Sequence, residues 1–209
     1  VEIRVRPQAT RVEVAGDVPA MRSEKYTEPL LDTPQTINII PREVIEQQGA
    51  TTLRDVLRNV PGITLSAGEG GATPGDNINV RGFSSRNDLF VDGVRDISPQ
   101  SRDPFNLEQV EVMKGPGSAY MGRGSSGGAI NLVSKQANLR RALGGSLVLG
   151  TDATRRLTGD VNTPLPFLSE RMAFRMNALY HQSGMAGRDV VNYERWGLAP
   201  TLTAGLGTA

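Results

Sequence analysis

The chain contains no cysteine, so disulfide scaffolds and thiolate metal sites are excluded. That absence suits a bacterial envelope protein and equally suits many cytosolic domains. One histidine is present, His181, which removes multi-histidine metal sites and leaves little scope for histidine catalysis. Aromatic residues are scarce at 5%, and apolar residues reach only 38%, so a large aromatic-rich core is not expected. Surplus charge is missing as well: 23 Lys and Arg stand against 22 Asp and Glu, for a net charge of +1. A nucleic-acid partner calls for a basic stripe, and this balance argues against one. No apolar run reaches about 18 residues, so no membrane-spanning helix is expected. The chain opens at Val1 without a methionine or an apolar leader, which fits a mature product and an expressed segment alike.

Glycine is what the chain has in quantity, 24 residues of it. Six fall in residues 110–135, VEVMKGPGSAYMGRGSSGGAINLVSK, which reads as a strand, a glycine-rich passage and a second strand. Upstream, residues 1–24 hold two short alternating runs, Val1-Glu2-Ile3-Arg4-Val5 and Arg11-Val12-Glu13-Val14-Ala15, and predict an extended lead-in. Thr33–Ile40 is β-rich. Pro41 to Gln48 predicts a short helix, with Pro in the first turn and Gly49 as its stop. A second helix is capped by Thr51, carries Leu53, Val56, Leu57 and Val60 at helical spacing, and ends at Pro61-Gly62. Ile63–Leu65, Asn77–Arg81 and Leu89–Val91 read as short strands, the last closed by the tight-turn pair Asp92-Gly93. The class of residues 25–135 is therefore α+β.

After about residue 143 the texture changes. Met172, Phe174, Met176, Ala178 and Tyr180 share one parity; Arg171, Ala173, Arg175, Asn177 and His181 share the other. Trp196, Leu198, Pro200, Leu202 and Ala204 repeat the alternation. Strands of about ten residues with one apolar face fit a transmembrane β-barrel. They also fit a soluble antiparallel sheet with one wet face.

Three chemistries compete for the glycine passage. A phosphate loop needs G-x-x-x-x-G-K-[ST]; Gly117 and Gly122 have the spacing, but Arg123-Gly124 follows and no helix-forming run comes next. A serine-hydrolase elbow needs G-x-S-x-G, which Gly124-Ser125-Ser126-Gly127-Gly128 matches, with Asp160 and His181 in a workable chain order. The elbow also needs a helix after the serine, and Ala129–Val133 reads as a strand. The remaining reading is a packing element, where glycine permits turns and close backbone approach. No catalytic residue and no metal site is assigned.

The stretch Val110-Glu111-Val112-Met113-Lys114-Gly115-Pro116, then Tyr120-Met121-Gly122, then Gly127-Gly128-Ala129-Ile130-Asn131-Leu132-Val133-Ser134-Lys135, resembles the plug-domain signature of TonB-dependent outer-membrane receptors. Asn59-Val60-Pro61-Gly62-Ile63, Asn79-Val80-Arg81-Gly82-Phe83 and Phe90-Val91-Asp92-Gly93-Val94-Arg95 agree with it in order and spacing. The run from Asp92 to Asp96, with Ser101-Arg102-Asp103, looks most like receptors for ferric catecholate siderophores. The resemblance implies an extended segment over 1–24, a plug over 25–140, and over 141–209 the first four or so strands of a truncated transmembrane barrel, which in full has about 22 strands.

It also implies function and sites. The expected activity is TonB-dependent uptake of a ferric siderophore across the bacterial outer membrane, with a corrinoid or glycan as the alternative cargo. Iron is carried as the chelate, and no cofactor is bound directly. Plug loops facing outward supply the ligand contacts: Glu69, Arg86, Asn87, Ser98, Gln100, Ser101 and Arg102, with the two arginines suited to an anionic chelate. Arg81 and Lys114 are the expected ionic lock to carboxylates on the barrel wall. One of the runs Val1–Val5 and Arg11–Ala15 is the expected coupling segment, captured as an added strand by the TonB–ExbB–ExbD complex. Outer-membrane lipid is the remaining partner.

Overall fold

A computed structural model of the chain describes residues 20–22, 32–66, 75–117, 125–185 and 187–207. The expected coupling runs, the loop holding Glu69 and the middle of the glycine passage lie outside the described residues. The elements run β1 (Thr36–Pro41), α1 (Arg42–Gln47), α2 (Leu53–Leu57), β2 (Ile63–Leu65), β3 (Ile78–Val80), β4 (Phe83–Ser84), β5 (Leu89–Val91) and β6 (Val94–Arg95). A 3-10 turn (Pro104–Asn106) then leads to β7 (Leu107–Lys114), β8 (Gly128–Ser134), β9 (Ala142–Leu149), β10 (Arg155–Pro164), β11 (Ala173–Met185) and β12 (Arg188–Thr203).

Strand β7 is the axis of the first part. It pairs antiparallel with β1 and β8; β5 joins β8 in parallel, giving the order β1-β7-β8-β5-β6. One face of this sheet presents Ile40, Val110, Val112, Ile130 and Leu132 to Ile45 of α1 and to Leu53, Val56 and Leu57 of α2. Strands β2, β3 and β4 form a separate small sheet, and Ile78 and Val80 complete the same core. Burying each such aliphatic side chain stabilises by about 1.5–3 kcal/mol. The opposite face carries Phe90, Met113 and Ala129, with Met21 and Ile37 packed against them.

Local chemistry explains the short elements. Pro41 is the N-cap of α1 rather than its first helical residue, and Gly49 follows at φ +61°. Thr52, one residue later than expected, caps α2: its hydroxyl accepts from the Asp55 amide at 3.2 Å while the Asp55 carboxylate accepts from the Thr52 amide at 3.0 Å. Asp92 (φ 50°) and Gly93 (φ 77°) form the two-residue turn between β5 and β6.

The glycine passage ends as a packing element. A Cβ on Gly127 overlaps the Val80 carbonyl oxygen and sits 2.9 Å from the Phe83 Cβ. Gly128, at φ +140°, lies so close to β7 that a Cβ there overlaps the Met113 carbonyl oxygen. The small sheet and the central sheet can touch only because both side chains are missing.

Strands β9 to β12 form an open antiparallel sheet in chain order. Its register stacks residues in rungs. Leu147, Leu157, Tyr180 and Trp196 make one, and Leu143, Val161, Met176 and Pro200 make another. These apolar rungs point away from the rest of the chain: Leu143 is 86% exposed and Trp196 74%. The intervening rungs point inward, and there Arg156, Arg175 and His181 are each only 7% exposed. Polar-in and apolar-out is the pattern of a wall with lipid outside, so the soluble one-sided sheet is set aside. No helix among the described residues is long and apolar enough to cross a membrane.

Candidate functional site: the Arg102 loop and the wall interface

Three segments meet at one end of the small sheets. The turn 85–88 leads into β5, and the loop 96–102 leaves β6, with the Asp96 amide donating to the Leu89 carbonyl at 2.8 Å. Residues 75–76 close against the same loop, where the Asp76 amide donates to the Gln100 carbonyl at 3.3 Å. Arg86, Asn87, Ser98, Gln100 and Ser101 are all exposed here, as the sequence led us to expect.

Arg102 is different. It is 8% exposed, and its guanidinium is consumed within the chain. Nη1 donates to Asp76 Oδ2 (3.2 Å) and the Gln100 carbonyl (3.1 Å); Nη2 donates to Asp96 Oδ2 (2.7 Å) and the Ser98 carbonyl (3.1 Å); Nε donates to Asp96 Oδ2 (3.2 Å). Its own amide donates to Asp76 Oδ2 at 3.0 Å, and its carbonyl accepts from the Leu53 amide at the start of α2. The expected ligand-binding role of Arg102 is therefore corrected to a structural one. Spacing could not reveal this, because Asp76 comes from a different strand end.

The two carboxylates around Arg102 are driven apart. Burial pushes the Asp76 carboxyl up, against the hydrogen bonds and charge of Arg102. Burial also acts upward on Asp96, but hydrogen bonds from Ser98 and Arg102 outweigh it and hold that carboxyl at about 2.

Arg81 and Lys114 lie beside each other: an added Cβ on Gly115 would stand 3.2 Å from Arg81 Nη1, and burial followed by the Arg81 charge pushes the Lys114 ammonium down. Lys114 is 7% exposed, whereas Arg81 is exposed. Among the described residues neither forms a salt bridge. Ser126 is exposed and runs into strand β8, not into a helix, which removes the elbow geometry.

Other residues join the first part to the four-stranded wall. Arg156 of β10 clamps Asp103 with two hydrogen bonds of 2.7 Å, and Arg195 of β12 approaches the same carboxylate at 3.5 Å. Arg175 of β11 forks onto its neighbour Asp160 at 2.8 and 2.7 Å and reaches Glu108 of β7 at 3.8 Å. Lys135 bonds Asp160 at 3.2 Å and donates to the Phe105 carbonyl at 2.9 Å; burial pushes its ammonium down and Asp160 opposes this. Beside these pairs lies a cleft of about 520 Å³, between α1, the 3-10 turn and the inner face of β9 and β10.

Residues 29–129 match the family model for the TonB-dependent receptor plug domain. A probable TonB-dependent receptor, BfrD of Bordetella pertussis, is 48% identical over 88% of this chain and 25% of its own length. The chain belongs to the TonB-dependent receptor family. The catecholate siderophore receptor Fiu of Escherichia coli K12 is 44% identical over 88% of the chain and 24% of its own length. The crystal structure of the siderophore receptor PiuA from Acinetobacter baumannii superposes with a TM-score of 0.84 at 44% identity, covering 91% of this chain and 27% of that one. The chain thus spans about a quarter of the length of the relatives it matches. Residues 29–129, from β1 into β8, match the plug of these receptors, β9–β12 have the pattern of wall strands, and the outer membrane is the location.

Within this receptor the plug-to-wall pairs are the residues that sequence reasoning missed. The expected scheme put cations on the plug and carboxylates on the wall. Asp103 and Glu108 of the plug meet Arg156, Arg175 and Arg195 of the wall, and among the described residues only Asp160 follows the expected polarity. A signal existed: all three arginines sit on the inward parity of their strands, where a charge needs a buried partner.

Proposed function

We propose that the chain is the plug and first wall strands of a receptor that takes up a ferric siderophore, of catecholate type, across the bacterial outer membrane. The observation that carries this is the 44% identity to a catecholate siderophore receptor over 88% of the chain. Arg86, Asn87, Ser98, Gln100 and Ser101 contact the anionic chelate, with guanidinium and amide donors aimed at its oxygens. Arg102 holds the loop that displays three of them. Arg81 and Lys114 pair with wall carboxylates beyond β12. Lipid covers the apolar rungs. The TonB–ExbB–ExbD complex captures one of the runs in 1–15 and draws on the plug, so the process is transport with no bond broken, and the chelate is cargo rather than cofactor.

The test is uptake of radioactive iron by cells whose only siderophore receptor is the one carrying this chain. Uptake of a ferric catecholate, abolished when the energy supply is removed, is the expected result. Equal uptake of a ferric hydroxamate would overturn the catecholate assignment. No iron uptake from any ferric chelate, with uptake of a labelled corrinoid or oligosaccharide in its place, would overturn the siderophore reading.

A further inference from the structure

The plug meets the wall through a knob as well as through charges. The 3-10 turn that follows the loop 96–102 presents the Phe105 ring to β12. An added Cβ on Gly197 would stand 3.0 Å from Phe105 Cζ and 3.2 Å from Cε1. Carbon atoms ordinarily pack at about 3.5–4.0 Å, so with the ring in this place the notch admits no side chain. Among the inward positions 195, 197, 199, 201 and 203 of β12, only 197 is glycine. Its partner across β11, Leu179, also faces inward and is 6% exposed. Glycine weakens a strand, and its use inside one marks the close approach of another group. The main chain that carries the ring is fixed: the Phe105 amide donates to Asp103 Oδ1 at 3.1 Å, and its carbonyl accepts from Lys135 Nζ at 2.9 Å.

We propose that the Phe105–Gly197 contact is the stop that sets how closely the loop 96–102 stands to the wall, which makes both of them positioning residues for the chelate. The inference rests on the reading above that Ser98, Gln100 and Ser101 contact the cargo. Arg156 and Arg195 draw Asp103 toward the wall. Attraction between opposite charges strengthens steadily as they approach and sets no stop of its own. Repulsion between the ring and the β12 backbone does. The path from ring to loop is short. Phe105 is tied to Asp103, and the next residue, Arg102, grips the Ser98 and Gln100 carbonyls at 3.1 Å each. A shift of the ring therefore carries into the residues on display. Valine at 197 adds the Cβ and reaches about 1.5 Å further, one bond length. The ring, and the loop with it, must then retreat by about 2 Å. A retreat of that size breaks a hydrogen bond, which fails beyond about 3.5 Å.

A size swap in the whole receptor in detergent tests this, with Gly197→Val alone and together with Phe105→Leu. One readout is the electron spin resonance distance between labels on Ser101→Cys of the loop and Glu194→Cys of the wall. The other is equilibrium binding of a ferric catecholate to the unlabelled proteins. Gly197→Val is expected to lengthen the distance by about 2 Å and to weaken binding at least about tenfold, as loss of one charge-assisted hydrogen bond requires. Phe105→Leu in the same chain shortens the knob and is expected to restore both. Valine favours strands where glycine weakens them, so a purely structural role for position 197 predicts an equally stable wall and no change in either readout. Should Gly197→Val fail to assemble, Gly197→Ala, which adds the Cβ alone, is expected to move both readouts the same way by less. An unchanged distance, a double variant as displaced as the single, or a displaced loop with undiminished affinity would each overturn the proposal. If the unaltered receptor binds no ferric catecholate, the cargo reading fails, and the distances still decide the stop.

Discussion

Replacing Asp103 with Ala should separate plug from wall more than any other single charge change. The carboxylate is 8% exposed and the Arg156 side chain 9%, and two hydrogen bonds of 2.7 Å join them. Both groups are too buried for water to take over the lost contacts. Removing one partner of such a pair costs about 3–5 kcal/mol, mostly because the other charge is left buried alone. The Phe105 amide, which donates to Asp103 at 3.1 Å, is orphaned as well. Arg195 is less affected, since it is 31% exposed and keeps the Thr51 carbonyl at 3.2 Å. The double variant Asp103→Ala with Arg156→Ala removes the stranded guanidinium. Its cost should therefore fall short of the sum of the singles by about 2 kcal/mol. The assay is urea-dependent loss of protease resistance in the plug of the detergent-solubilised receptor, fitted for each corner of the cycle. A cost below about 1 kcal/mol for Asp103→Ala, or strict additivity, would refute the reasoning: the pair would then behave as a solvent-screened contact.

Three further outcomes follow from the same geometry. Gly127→Ala should destabilise the plug by about 1–3 kcal/mol through overpacking against Val80, and Gly128→Ala by more because its φ of +140° adds strain, both read as lower melting temperatures. Acid should weaken the 96–102 loop. The Asp96 carboxyl is held at about 2 against an ordinary 3.8, so its contribution is complete above about pH 4 and fades as pH falls toward 2. Asp76 is shifted upward and acts in the opposite sense, so Asp96→Asn should abolish the loss and leave a loop that gains protease resistance on acidification. Arg86→Ala should weaken chelate binding about tenfold with an unchanged melting temperature, as loss of one charge-assisted hydrogen bond requires. Arg102→Ala should instead lower the melting temperature, because Asp76 is left buried without its cation.

Sequence alone carried the element types a long way. Asp92-Gly93 fixed a two-residue turn, because few other pairs accept positive φ twice. The alternation over 172–181 and 196–204 fixed which residues share a face. It could not say which face is buried, since period two looks the same with lipid or core on the apolar side. The exposure of Leu143 and Trp196 beside the burial of Arg175 and His181 decided that. The sequence pointed to Thr51 as the cap of α2, and the hydroxyl that accepts from the Asp55 amide is that of Thr52.

The sequence by itself determined that this chain is a glycine-rich α+β body followed by alternating strands, because turn chemistry and side-chain period are local properties. Only the tertiary structure decided what the charges do. Arg102 meets Asp76 across 26 positions, Asp103 meets Arg156 across 53, and Glu111 meets the Arg22 amide across 89. Whether a guanidinium is free for a chelate or locked in the fold depends on which carboxylate stands within about 3 Å of it, and no local pattern carries that distance.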